Sequence, residues 1–347
     1  MRVLITGNMG YLGPVLVRHL RGRSQPVSLT GFDTGLFAHC LTTQDGLPER
    51  RLDSQVFGDI RQPPDDLFEG VDAVVHLAAI SNDPIGKEYE AVTDEINFEK
   101  SSSLAAMAKA QGVRRFVFSS SCSVYGAGGN QPCTEASRLD PLTAYARSKL
   151  DLEGGLADLA DDHFKVTCLR FATACGMSDR LRLDLVLNDF VASAIAVGRI
   201  EILSDGTPWR PLIHVKDMAR AIEWGLSRCD GDNFIAINCG ANDWNHQVRD
   251  LAETVARLIP DTSVSVNQDA APDRRSYQVD FSAFENLAPD HQPNMTLDAA
   301  ILDLEAGLRG IGFDDSDFRN SDLIRLNTIA GHRGKGLLDG GLYWLDR

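Results

Sequence analysis

The sequence predicts an α/β protein: a doubly wound parallel sheet followed by a smaller C-terminal α/β substrate-binding region. Three observations carry this. Short apolar runs alternate with helical stretches through the first half of the chain. The run Ala73-Val74-Val75-His76-Leu77-Ala78-Ala79 is nearly all apolar, as in a parallel strand covered on both faces. The chain also opens as strand, glycine-rich turn and helix: Arg2 to Thr6, then Gly7-Asn8-Met9-Gly10-Tyr11-Leu12-Gly13, then Pro14 to Arg21.

That opening defines a cradle for an anion. Gly7 lets the chain turn tightly, Gly10 lets backbone amides approach a pyrophosphate, and Gly13 lets the helix pack on the strand. The helix N-terminus adds its partial positive charge. The pattern therefore points to a Rossmann dinucleotide-binding half. Val27 to Phe32 reads as the second strand and ends at Asp33, placed to accept both hydroxyls of an adenosine ribose. A 2′-phosphate would be repelled there, so NAD is preferred over NADP.

Gln55 to Arg61 reads as a third strand whose polar end, Asp59 with Ile60, flanks the adenine. Residues 73–79 are the fourth strand, with His76 a packed residue and Ala78 and Ala79 small enough for a cofactor to lie against the backbone. Thr93 to Gln111 reads as a helix, with Asn97 its unusual polar residue. Val113 to Ser119 is a fifth strand leading into Ser119-Ser120-Ser121-Cys122-Ser123-Val124-Tyr125-Gly126, hydroxyls at the strand end where open α/β sheets bind ligands.

Tyr145-Ala146-Arg147-Ser148-Lys149 follows, near the start of a helix running to about Ala160. A four-residue spacing puts Tyr145 and Lys149 on one helix face. A free phenol titrates near pH 10, and a positive charge about 4 Å away would lower that by up to about three units. The expectation is a tyrosine base held near neutrality by lysine. Lys165 to Phe171 reads as the sixth strand, Leu183 to Gly198 as an amphipathic helix, and Ile200 to Leu203 as a short strand. Met218 to Ser227 and Gln247 to Leu258 read as helices. Residues 1–170 are expected to be the dinucleotide-binding domain and 171–330 mainly the substrate region, with the chain crossing back to the main sheet around 212–242. Residues 331–347 form a tail that packs either on the core or on another subunit.

Composition sets outer limits. The chain has 347 residues and a net charge of −15, so diffuse attraction to nucleic acid or anionic lipid is not expected. An anionic ligand must be held by helix N-termini, backbone amides and single arginines. No apolar run is long enough to span a membrane. The N-terminus lacks the features of a signal peptide, and a cytoplasmic protein is expected. The seven cysteines have no CxxC spacing and are expected to be reduced thiols; no metal site is expected.

Taken together, the motifs resemble the extended short-chain dehydrogenase/reductases of the NAD-dependent nucleotide-sugar epimerase/dehydratase family. The matching pieces are TGNMGYLG at 6–13, DI at 59–60, HLAA at 76–79, Asn97, SSSCSVYG at 119–126, YARSK at 145–149, LRFATACG at 169–176 and RPLIHVKDMARA at 210–221. The resemblance implies that Ser121, Tyr145 and Lys149 are the catalytic set and that Asn97 supports the lysine through a water. It implies cofactor contacts at Gly7, Met9, Gly10, Tyr11, Leu12, Gly13, Asp33, Asp59, Ile60, Leu77, Ala78, Ala79 and Ser119, besides Tyr145 and Lys149. Substrate contacts are implied at Ser81, Ser121, Cys122, Ser123, Tyr145, Thr173, Arg210 and Arg274, with Arg275 as the alternative to Arg274. The chain departs from the family pattern at Thr173, where asparagine is usual, and at Cys175, where tyrosine is usual.

The implied chemistry is hydride transfer at a sugar carbon of a nucleotide-diphosphate sugar. The first expectation is an epimerase that recycles NAD; the alternative is an NAD(P)H-dependent reductase of a nucleotide-linked keto-deoxysugar. A 4,6-dehydratase is disfavoured, because Cys122 and Ser123 stand where the family's dehydratases carry an acid. A non-catalytic NAD-binding scaffold is disfavoured because both Tyr145 and Lys149 are present. The resemblance also implies a homodimer through the helices at 97–111 and 145–160. Leu152, Leu156 and Leu159 are read as compatible with that contact.

Overall fold

The computed structural model describes residues 1–129, 131–267 and 276–345. Its strands are β1 (Arg2–Thr6), β2 (Ser28–Asp33), β3 (Ser54–Phe57), β4 (Ala73–His76), β5 (Arg115–Ser121), β6 (Lys165–Phe171), β7 (Thr173–Cys175), β8 (Arg199–Ile202), β9 (Trp209–His214), β10 (Phe234–Cys239), β11 (Asn245–Gln247) and β12 (Ser263–Val266). Seven of them form one sheet in the order β10-β6-β5-β4-β1-β2-β3, with every pairing parallel.

The strand sequences explain why this sheet is buried on both sides. Side chains alternate faces along a strand. Val3 and Ile5 of β1, Val75 of β4 and Val117 of β5 enter one core, which the helix Gly13–Arg21 and the helix Val215–Ser227 cover. Leu4, Val74, Phe116 and Phe118 enter the other, under the helices Ser101–Ala110 and Ala144–Leu159. Leu152 and Leu156 are fully buried in this second core beside Leu104, Ala105 and Ala108. They pack inside the chain and do not form an outer face.

The chain runs from β1 outward to β3 and returns to β4, so the direction of winding reverses between β1 and β4. A crevice opens outside the carboxyl ends of strands at such a point. Beyond it, β11, β9 and β7 form a three-stranded sheet, and β12 pairs with β8. After β9, the helix Val215–Ser227 carries the chain back so that β10 joins the main sheet beside β6.

Two elements differ from the sequence reading. β3 stops at Phe57, and Asp59 folds back to accept the Arg61 backbone N–H at 2.8 Å. The expected 93–111 helix starts earlier, at Glu90–Asp94, passes through a wider π-helical turn at Glu95–Lys100 and resumes at Ser101–Ala110. Asn97 sits in that turn, the kind of local irregularity that re-aims a side chain.

Candidate active site

A cavity of about 950 Å³ runs along the carboxyl ends of the central strands into the second region. Gly7, Gly10, Tyr11, Leu12, Asp33, Asp59, Ile60, Leu77, Ala78, Ala79 and Ser119 line it on the sheet side. Gly7 has φ +72°, and a Cβ there would lie 2.5 Å from the Ala78 nitrogen. The glycine therefore lets β1 and β4 close on each other at the crevice. A Cβ on Gly13 would lie 2.0 Å from the Asn8 carbonyl oxygen. Gly13 is thus a packing glycine behind the turn and does not line the cavity. Nor does Met9; its backbone N–H donates to Asp33 at 2.9 Å. Gly35 N–H donates to the other Asp33 oxygen at 2.8 Å, so the carboxylate is aimed before any ligand arrives. Burial nevertheless raises its pKa.

The helix carrying Tyr145 and Lys149 is capped by Thr143, whose hydroxyl accepts the Ala146 N–H at 3.1 Å and donates to Asp83 at 2.8 Å. This cap fixes Tyr145 within the first turn. Tyr145 shares a hydrogen bond with Ser121, which stands at the end of β5 and accepts the Ser123 N–H at 3.1 Å. Lys149 donates from Nζ to the Ser119 carbonyl at 2.7 Å and lies 5.6 Å from the Tyr145 ring centroid. Ser121, Tyr145 and Lys149 all line the cavity.

Asn97 does not line it. Its carboxamide accepts the Ile80 N–H at 2.8 Å and donates to the Ile80 carbonyl at 2.9 Å and to Ser148 Oγ at 3.1 Å. It ties the loop after β4 to the residue preceding Lys149, a scaffold role reached without touching the lysine.

The electrostatics correct the expectation of a tyrosine near neutrality. Burial pushes Tyr145 up to about 12, against smaller lowering contributions that include Arg182 and the Ser121 hydrogen bond. Burial also pulls Lys149 down to about 7. Desolvation penalises both charged forms and outweighs the helix-face pairing. Burial by the protein groups alone thus favours the protonated phenol.

Of the residues implied for substrate, Ser81, Ser123, Thr173 and Arg210 also line the cavity. Cys122 does not. It is fully buried, and its thiol donates to the Arg170 carbonyl at 3.0 Å, because the short helical turn after Ser121 points it into the core. Arg274 and Arg275 lie outside the described residues. His76 is packed as read: it is buried between Thr6 Oγ1 and Ser101 Oγ, both at 2.8 Å, and burial lowers its pKa to about 3.

The sequence reading missed Arg182, Tyr277 and Arg61, all exposed to the cavity or its rim. Arg182 is held by Asp184 at 2.9 Å and donates to the Ser81 hydroxyl at 3.1 Å. An acid two residues away, Asp184 for Arg182 and Asp59 for Arg61, was a readable signal for both arginines, whereas Tyr277 had none. A buried network also went unread behind the site: Glu153 accepts from Arg170 at 2.6 Å and from Ser120 at 2.5 Å.

A model of the NAD dependent epimerase/dehydratase family matches residues 3–240. The chain belongs to this family. Among relatives of this epimerase/dehydratase-family enzyme, UDP-glucose 4-epimerase of Streptomyces lividans is 30% identical over 284 residues, covering 74% of this chain and 80% of the relative. UDP-glucuronic acid decarboxylase 6 of Arabidopsis thaliana is 28% identical over 293 residues, covering 81% of each. The structure of MoeE5 in complex with UDP-glucose and NAD aligns with a TM-score of 0.74 at 25% identity, over 89% of this chain and 99% of the other. The fold alone is shared with UDP-glucose-4-epimerase from Stenotrophomonas maltophila, at TM-score 0.76 and 23% identity over 90% and 99% of the two chains.

The family's cofactor fits the residues present. The cradle at Gly7 and Gly10 presents backbone with no side chain in the way, and the aimed Asp33 carboxylate suits a ribose diol. Among the described residues, no helix is long and apolar enough to cross a membrane.

Proposed function

We propose that this enzyme is an NAD-dependent nucleotide-sugar epimerase that works at a sugar carbon through Tyr145. The observation that carries the reading is one continuous cavity. It holds the Gly7–Asp33 cradle at one end, Ser121, Tyr145 and Lys149 in the middle, and Arg210 and Tyr277 at the other end. When bound, NAD supplies a reversible hydride acceptor and a positively charged ring. Tyr145 Oη takes the hydroxyl proton from the reacting carbon and returns it at the close of the cycle. Ser121 hydrogen-bonds the same oxygen and stabilises its developing charge. Lys149, anchored on Ser119, adds positive potential under the phenol. Gly7, Gly10, Tyr11, Leu12, Asp33, Asp59, Ile60, Leu77, Ala78, Ala79 and Ser119 form the cofactor side. Ser81, Ser123, Thr173 and Arg210 face the sugar nucleotide, and Arg182 positions Ser81.

Dehydration is disfavoured because neither Cys122 nor Ser123, the pair after Ser121, is an acid, and Ser123 is the one of them that lines the cavity. We also propose that the enzyme is a cytoplasmic homodimer joined through the exposed faces of the Ser101–Ala110 and Ala144–Leu159 helices. A monomer in sedimentation at micromolar concentration would refute the assembly.

The activity is tested by incubating purified enzyme with a panel of nucleotide-diphosphate sugars. Sugar conversion is followed by chromatography and reduced nicotinamide by absorbance. An epimerase interconverts sugars with no net change in absorbance. Steady consumption of added NADH would replace this reading with a reductase.

A further inference from the structure

The last described residues fold back on the cofactor half of the cavity. After the helix Arg325–Gly334, the chain forms a small hairpin. Leu345 N–H donates to the Leu337 carbonyl at 2.9 Å, Asp339 N–H donates to the Tyr343 carbonyl at 3.1 Å, and Leu338 bridges Trp344. Asp339 accepts the Gly341 and Tyr343 N–H groups at 2.8 and 2.9 Å and so closes the tip.

Arg61 grips this tip. Its guanidinium is buried, lies 3.3 Å from the Tyr343 ring centroid, and donates to the Gly341 carbonyl at 2.6 Å. The same group holds the Asp59 carboxylate at 2.6 Å. A second fastening lies on the neighbouring strand end, where Trp344 Nε1 donates to the Thr34 carbonyl at 2.8 Å. Thr34 follows Asp33, and Asp59 follows β3, so both fastenings flank the adenosine end of the cradle.

Between them stands Leu342. It has φ +60°, a left-handed conformation that strains a non-glycine residue. It is only 2% exposed, and it lines the cavity with Ile60 and Ile96. Glycines occupy 340 and 341, yet the strained position holds a leucine, whose side chain is the one the hairpin inserts.

We propose that the hairpin Leu337–Leu345 is the outer wall of the cofactor site, with Leu342 packed over the adenosine half of NAD and Arg61 locking the hairpin to Asp59. Its role is to hold the dinucleotide in place between turnovers. This rests on the NAD-recycling reading above, which requires a cofactor that stays bound while sugars exchange.

The test measures NAD itself rather than turnover. Leu342→Gly, which keeps the turn and removes the side chain, and a chain ending at Lys335 are compared with the natural protein. Their folding is checked by circular dichroism. NAD retained after gel filtration and its dissociation rate, from quenching of protein fluorescence, are then recorded. Leu342→Gly is expected to release NAD about tenfold faster, the factor that corresponds to about 1.4 kcal/mol. The truncated chain is expected to leave the column with less than the natural complement. Tyr343→Ala should behave like Leu342→Gly if the truncated chain does not fold. Unchanged retention and dissociation in folded Leu342→Gly and Tyr343→Ala would overturn the proposal while leaving the epimerase reading intact. Failure of the natural protein to bind NAD at all would overturn both.

Discussion

Lys149 and Tyr145 share a helix face, but the lysine ammonium is anchored on the Ser119 carbonyl at 2.7 Å and stands 5.6 Å from the tyrosine ring centroid. The two side chains are therefore held by different residues at the end of β5. Tyr145 is held by Ser121 and, through its helix, by the Thr143 cap, and Lys149 by the Ser119 carbonyl. Their roles separate by mutation.

Tyr145→Phe removes the proposed acid/base hydroxyl while leaving the glycine cradle untouched. Turnover should fall by at least about 10², the low end for acid/base catalysis. NAD affinity by calorimetry should change less than twofold. Near-normal turnover would remove Tyr145 from the mechanism.

Lys149 gives a prediction about stability. Its ordinary value is 10.5, and burial lowers it to about 7 in the folded protein. Below about pH 7 it is charged in both states, and the fold bears the full cost of the buried charge. Between about 7 and 10.5 the unfolded chain binds more protons, so stability rises with pH. Tyr145 has the opposite sign, since its value is raised from 10.0 to about 12, and stability falls across that window. Lys149→Met should thus be inactive yet more stable than the natural protein at pH 6–7, with a flatter rise toward pH 9. Denaturant melts of the cofactor-free proteins at several pH values read this directly, and a variant less stable at pH 6 would contradict it.

Behind the site, Glu153 and Arg170 are both buried and bonded at 2.6 Å. Glu153→Ala leaves an uncompensated guanidinium under the catalytic helix and should cost about 3–5 kcal/mol. The midpoint of urea unfolding measures it. A cost below about 1 kcal/mol, the level of an exposed pair, would show that the charge escapes to solvent.

Gly7→Ala places a methyl group 2.5 Å from the Ala78 nitrogen at a positive φ. The cradle must open, and NAD affinity should fall at least about tenfold, a loss of about 1.4 kcal/mol. Titration calorimetry on folded variant provides the check.

The Asp33 carboxylate, which both the Met9 and Gly35 N–H groups aim, is proposed to set the preference for NAD over NADP. Asp33→Asn keeps the shape and removes the charge. NAD binding should weaken by roughly tenfold, as expected for losing a hydrogen bond to a charged group worth about 1.5–3 kcal/mol. The ratio of NADP to NAD affinity should rise. An unchanged ratio in paired titrations would show that another residue sets the preference.

What the sequence by itself determined is what lies within a few residues along the chain. The glycine turn, Asp33 at the end of β2, the Tyr145–Lys149 spacing and the nearly all-apolar strands are each patterns a few residues long.

Only the tertiary structure decided the rest, because it depends on what is buried against what. The direction of the Tyr145 pKa shift reverses the local expectation, since desolvation is a property of the whole surrounding fold. Cys122 and Ser123 are neighbours in sequence, yet a single helical turn sends one into the core and the other into the cavity. Arg61 meets Tyr343 across most of the chain's length, a contact that no local pattern encodes and that brings the tail to the adenosine end.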